Sequence, residues 1–229
     1  MATSLQQSDR KLLSKEHEIG HGGDISIEAD LLCERILLKY LSKYGQILSE
    51  ESGYIGEGEQ TVVIDPLDGS SNFKSQFPYY GTSIALRNKG ETLCGVVCNF
   101  ENGDFFFRSN TELFVKNIFD HDRNAYVQNN ANSAVGLFEK SYDYPEVVAS
   151  LKKKKLKFRS PGAVALSLAY AHYVEYVLFL GTMRDYDILA GMHLCKDLNH
   201  YQDENCIIIS KDKTSFETLC DIIIKKDNI

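Results

Sequence analysis

The sequence has no basic excess. Its 25 Lys and Arg residues are outnumbered by 32 Asp and Glu, for a net charge of −7. A protein that grips a nucleic-acid backbone needs a basic face, so that class of function is set aside. The one marked basic run, Lys152 to Lys155 with Lys157 and Arg159 after it, reads as a solvated surface loop. No apolar stretch approaches the length of a membrane span, and the polar Met1 to Lys15 segment has no apolar signal region. The expectation is a cytoplasmic protein with no membrane partner. The six cysteines show no CxxC, and no His pair has zinc spacing. They read as core thiols of a reducing compartment. No internal repeat or low-complexity linker is present. What remains is 229 residues at 43% hydrophobic content, enough for one compact domain over residues 1–229.

The densest chemistry lies at Asp65-Pro66-Leu67-Asp68-Gly69-Ser70. The apolar run Val62-Val63-Ile64 precedes it, so a strand is expected to end at Asp65 and turn at once. Pro66 fixes one backbone angle, and Gly69 permits a conformation that a Cβ hinders. Such a turn can gather Asp65, Asp68 and the Leu67 carbonyl around one point. Hard divalent cations seek that all-oxygen environment, Mg²⁺ above all where phosphates and water share the site. Taken alone, the segment is equally an Asp-rich β-turn. Two more acidic clusters shift the balance: Glu50-Glu51 upstream and Arg184-Asp185-Tyr186-Asp187 downstream. Asp187 also reads as an N-cap before Ile188-Leu189-Ala190.

A coarse pass gives a short first helix within residues 1–18, a helix over 24–44 and a strand at 62–65. A meander follows at 80–86, 92–100 and 104–108, with turns at Asn88-Lys89-Gly90 and Glu101-Asn102-Gly103-Asp104. Phe105-Phe106-Phe107 reads as core. A short strand is expected at 113–115. The region 117–144 resists reading and holds a polar loop, Asn129-Asn130-Ala131-Asn132. Residues 162–173 and 187–199 read as helices, 177–180 and 206–209 as strands, and 215–226 as a last helix. The alternation suggests layered α/β architecture.

The three acidic clusters together resemble the inositol monophosphatase family of Mg²⁺-dependent, lithium-sensitive phosphatases. Its Glu-Glu pair is matched by Glu50-Glu51, and its Asp-Pro-(Ile/Leu)-Asp-Gly-(Thr/Ser) signature by Asp65 to Ser70. Its Trp-Asp-x-Ala-Ala-Gly element is matched more loosely by Tyr186-Asp187-Ile188-Leu189-Ala190-Gly191. Gly23 to Asp30 resembles the segment that opens the family's second helix. Arg159 to Leu166 is similar to its phosphate-cradling helix start. The resemblance implies an αβαβα sandwich of the inositol monophosphatase and fructose-1,6-bisphosphatase type. A metal-site half would span about 1–115 and a second half about 145–229.

It further implies two or three Mg²⁺ ions. Glu50, Asp65 and the Leu67 carbonyl would hold the first. Asp65, Asp68 and Asp187 would hold the second, and a weaker, largely hydrated third would sit near Glu50. Ser70, with Asp30 as its acidic partner, would position the attacking water. The N–H groups of Gly69, Ser70, Gly162 and Ala163 would receive phosphate oxygens, and Asp187 would also contact substrate. The implied activity is hydrolysis of a small phosphomonoester: an inositol phosphate, a sugar phosphate or a nucleotide. A 3′(2′),5′-bisphosphate nucleotidase and a fructose-1,6-bisphosphatase are the alternatives. A non-catalytic accessory protein that binds transcription machinery is a third reading, and a homodimer is the expected assembly. Counting back seven residues from Asp187 puts Leu180 where many members carry an acidic hydroxyl-reader. That implies broad substrate tolerance, with Arg184 or Asp185 as stand-ins. The six histidines, 17, 21, 121, 172, 193 and 200, are assigned to surface or helix packing.

Overall fold

β-branched and aromatic runs build two separate sheets, described here by a computed structural model for residues 1–110, 112–120 and 133–224. The expected polar loop at 129–132, His121 and the end of the expected last helix lie outside the described residues. The larger sheet has seven strands: β3 (Gln46–Ser49), β4 (Gly53–Ile55), β5 (Gln60–Asp68), β6 (Gly81–Asn88), β7 (Glu91–Asn99), β8 (Asp104–Arg108) and β9 (Leu113–Asn117). Their order is β4-β3-β5-β6-β7-β8-β9, with β3 parallel to β5 and each other neighbouring pair antiparallel. The expected meander is therefore β6 to β8, and the expected strand at 113–115 is β9. A two-stranded ribbon, β1 (Glu16–Ile19) with β2 (Ile25–Ile27), precedes this sheet.

The smaller sheet has order β11-β10-β12-β14-β13. Its strands are β10 (Gly136–Glu139), β11 (Phe158–Arg159), β12 (Val177–Leu180), β13 (Asn199–Gln202) and β14 (Cys206–Ser210). The helices are α1 (Ala2–Gln7), α2 (Arg10–Leu13), α3 (Glu28–Leu41), α4 (Ser70–Lys74), α5 (Pro145–Lys153), α6 (Val164–Ala169), α7 (Asp185–Leu194) and α8 (Lys213–Ile223).

Strand alternation sorts the apolar side chains into layers. Val63, Ala85, Val97 and Phe106 face α6 and α7, packing on Ala165, Leu166 and Ala190. Ile47, Val62 and Ile64 face the other way, onto Leu37 of α3. Across the centre, Val177, Phe179, Ile207 and Ile209 pack on Leu168 and Ile188 of the same two helices. Leu178 and Ile208 face outward onto Val147, Leu151 and Leu219 of α5 and α8. The stack is helix, sheet, helix, sheet, helix, which is the αβαβα sandwich that the resemblance implies.

Several boundaries differ from expectation for local reasons. The Asp30 carboxylate accepts the Ile27 N–H at 2.6 Å, which starts α3 at Glu28 and leaves Ile25–Ile27 extended. The N-terminal segment forms two short helices and a strand, because Asp9 caps Arg10–Leu13. α7 ends at Leu194, and the polar Asn199–Gln202 segment pairs with β14 as an edge strand. α8 begins earlier than expected because Asp212 accepts the Ser215 N–H at 2.7 Å. The six cysteines form no disulfide, and Cys33, Cys98, Cys195 and Cys206 are buried. Among the described residues, no helix is long and apolar enough to cross a membrane.

Candidate active site

β5 does not stop at Asp65, as its turn-forming residues suggest. It continues to Asp68 through a bulge. Asp65 stands opposite Ser83 and Asp68 opposite Gly81, so three steps on β5 match two on β6. Pro66 has no N–H to offer a ladder, and in a central strand it is tolerated at such a bulge. The Asp65 carboxylate accepts the Leu67 N–H at 2.9 Å, and the Thr82 hydroxyl donates to the Asp65 carbonyl at 2.9 Å. The strand then ends at Gly69, whose φ of 84° opens α4. A Cβ there would lie 2.9 Å from the Tyr79 carbonyl, so the position needs glycine twice over. Asn72 of α4 donates to the carbonyls of Tyr79 and Pro161, each at 2.7 Å, and ties this turn to the segment before α6.

Glu50 follows β3 directly, and its N–H donates to Ile64 at 3.1 Å, which sets it beside Asp65. Asp187 arrives from the far side on α7. It lies inside the first turn of that helix, with Arg184 as the N-cap residue, so it does not act as the N-cap. Glu50, Asp65 and Asp187 each present an oxygen within 4.8 Å of the other two. Asp68 lines the same cavity, and one of its oxygens accepts the Leu166 N–H of α6 at 2.9 Å. Leu67, Gly69, Ser70, Asp30 and Gly162 line it as well.

The cavity holds about 940 Å³ and is lined by nine carboxylates, Glu16, Asp24, Asp30, Glu50, Glu51, Asp65, Asp68, Glu139 and Asp187, against three cations, Lys74, Lys140 and Arg184. Burial pushes Asp65 and Asp68 well above the usual carboxylate range, and neighbouring carboxylates add to it, Glu50 foremost for Asp65 and Asp187 for Asp68. Burial, then the Asp187 charge, raises Glu50 to about 7, and burial raises Asp187 as well. Asp30 rises to about 8, chiefly through burial, against the opposing Ile27 hydrogen bond. A buried, all-oxygen cluster so short of countercharge matches a hard divalent cation in charge and in donor chemistry.

Glu139 and Asp24, given no site role by the sequence, take part in this geometry together with Arg184, expected there only as a stand-in reader. Glu139, at the end of β10, is 1% exposed. It accepts the Gly162 N–H at 2.9 Å, the Ala163 N–H at 3.5 Å and the Ser167 hydroxyl. The N–H groups of Gly162 and Ala163, expected to meet phosphate, are thus already held by a resident carboxylate. Arg184 and Asp24, both lining the cavity, form an ion pair at 2.7 Å. Two expected positions lie elsewhere. Leu180 packs outward with Val147, Cys206 and Ile208, so it occupies no reader's position in the cavity. Asp185 points away and pairs with Arg87 at 2.7 Å. Of the histidines, His172 and His193 are buried on backbone carbonyls, while His17, His21 and His200 are exposed.

A five-layered α/β sandwich with an acidic cavity where β3, β5 and α7 meet defines the class: the layered fold of the sugar- and inositol-phosphate phosphatases. The chain belongs to the inositol monophosphatase family, whose model matches residues 3–199. It is 30% identical over 192 residues to the Nus factor SuhB of Xylella fastidiosa, covering 78% of this chain and 68% of that one. It is 28% identical to a fructose-1,6-bisphosphatase of Pyrococcus furiosus, over 67% of this chain and 58% of the relative. In structure it is similar to the suppressor protein suhB of Bartonella henselae, with a TM-score of 0.79 at 22% identity. That match covers 97% of this chain and 93% of the other.

Proposed function

We propose that residues 1–229 form one Mg²⁺-dependent phosphatase domain that hydrolyses a small phosphomonoester with water. One observation carries the reading: Glu50, Asp65 and Asp187, from three separate elements, converge within 4.8 Å inside a buried cavity. Two or three divalent cations bound there would lower the pKa of a water, neutralise phosphate oxygens and stabilise the leaving alkoxide. Glu50, Asp65 and the Leu67 carbonyl would hold one, and Asp65, Asp68 and Asp187 another. Ser70, with Asp30 as its acidic partner, would position the attacking water. The hydroxyl of Ser70 stays a positioning group and forms no phosphoenzyme. Gly69 and Ser70, at the left-handed entry to α4, offer N–H groups to the phosphate. Gly162 and Ala163, the other two expected donors, are engaged by Glu139.

The substrate class is an inositol phosphate, a sugar phosphate or a nucleotide. The Pyrococcus furiosus relative named as a fructose-1,6-bisphosphatase keeps a sugar bisphosphate in view, and an adenosine bisphosphate stands beside it. The relatives named Nus factor favour a second reading, an accessory protein for transcription. The proposal includes a cytoplasmic homodimer. A screen of Mg²⁺-dependent phosphate release over inositol phosphates, sugar bisphosphates and adenosine bisphosphates separates the readings. Release that EDTA abolishes supports the phosphatase. Silence across all three classes at saturating Mg²⁺ supports the accessory role.

A further inference from the structure

Arg184 stands just ahead of α7, and its guanidinium spans acceptors from three parts of the chain. Nε and Nη2 reach the two Asp187 oxygens at 2.7 and 3.2 Å. Nη2 also lies 3.1 Å from a Glu50 oxygen. Nη1 donates to Asp24 at 2.7 Å and to the Gly22 carbonyl at 3.1 Å. The Tyr186 ring lies 5.2 Å from the guanidinium carbon. Glu50 and Asp187 are two of the three carboxylates that converge on one point. A fixed cation, one that does not deprotonate, therefore already holds two members of the cluster.

The same side chain clasps the loop between β1 and β2. From the other side, the N–H groups of His21 and Gly22 donate to the carbonyls of Glu51 and Glu50 at 2.9 and 2.7 Å. A Cβ on Gly22 would lie 2.7 Å from Glu50 Cγ, so the loop rests against the cluster with no room between.

We propose that Arg184 is a tethered competitor for one divalent cation. It neutralises Glu50 and Asp187 in the cation-free protein and must release Glu50 before the weakest ion, the one held near Glu50, can bind. The inference rests on the metal cluster of the proposed phosphatase. Its physical basis is like-charge exclusion: a guanidinium within hydrogen-bond reach of two ligands repels any ion that approaches them. Asp24 and the Gly22 carbonyl give the released guanidinium a place to stay, outside the cluster. One ion is thereby made weaker than its neighbours, and its loading is coupled to the loop at residues 20–24.

The test uses the full chain stripped with EDTA, and Mn²⁺ uptake followed by electron paramagnetic resonance of the free ion. Wild type, Arg184→Gln and Arg184→Lys are compared, with Tm measured in chelator. Arg184→Gln should tighten the weakest Mn²⁺ by about tenfold or more while lowering the cation-free Tm. Arg184→Lys should fall between, since it keeps the charge and loses the fork. A lowered Tm with unchanged or weakened Mn²⁺ affinity would show a purely structural residue and overturn the competition alone. No Mn²⁺ uptake by any of the three would overturn the metal cluster itself, and the competition with it.

Discussion

β5 and β14 are buried alike and built from opposite chemistry. In β14, Ile207, Ile208 and Ile209 are each fully buried, with alternate side chains covered by the central and the outer helices. Each such side chain contributes about 1.5–3 kcal/mol. β5 begins the same way at Val62-Val63-Ile64, and then buries Asp65 and Asp68 just as deeply. Those carboxylates oppose folding unless a cation or a proton meets them. One sheet holds the stack together, and the other gives up stability at one end to keep a charged cavity. Stability and chemistry should therefore respond to different strands.

The sharpest way to break this comparison is Asp65→Asn. We expect turnover to drop by roughly 10³-fold or more, since the carboxylate is proposed to serve two cations. The melting temperature in chelator should hold or rise, because a like-charge contact is removed. Near wild-type turnover at saturating Mg²⁺ would move the site elsewhere. Ile208→Ala should do the reverse. It costs about 2–5 kcal/mol by urea unfolding and leaves the turnover of the folded fraction unchanged.

Glu139→Ala tests the one buried carboxylate that the smaller sheet contributes. It strips the acceptor from Gly162, Ala163 and Ser167, so a loss of about 1–3 kcal/mol is expected, with Glu139→Gln in between. A stable but inactive Glu139→Ala would place that residue with the chemistry and blur the division between sheets. The smallest effect concerns pH. Glu50 and Asp30 titrate in the folded protein at about 7 and about 8, above the ordinary carboxylate range. Their stabilising contribution is complete below that ordinary range and is lost as pH rises through 7 and 8. Calorimetry in chelator should show Tm falling between about pH 5 and 8 from these groups, and saturating Mg²⁺ should flatten the slope. A Tm that climbs with pH in chelator would contradict the burial argument.

Much of this division is legible in the sequence. β-branched runs mark β5 to β9, β12 and β14, and the three acidic clusters mark the cavity. What escapes reading does so for physical reasons. Glu139 ends a four-residue strand, and nothing in its neighbourhood announces that two N–H groups 23 and 24 residues away will turn to it. Arg184 reads only as a stand-in for a substrate reader, because its partners Asp24 and Glu50 lie more than 130 residues upstream. β13 is polar, as an edge strand can be, and so merges with the helix before it. Leu180 stands seven residues before Asp187 along the chain, but spacing alone cannot say that its strand turns that side chain outward.

The bulge at Pro66 also settles a matter of parity. Along a regular strand, residues an odd number apart point to opposite faces. Asp65 and Asp68 are three apart, yet both line one cavity, while Leu67 between them packs with Ala29 and Cys33 of α3. The extra residue turns an odd interval into an even one. Removing it would send one carboxylate among the apolar side chains of α3 and split the pair. A strand without that irregularity could present two carboxylates to one cavity only at intervals of two or four.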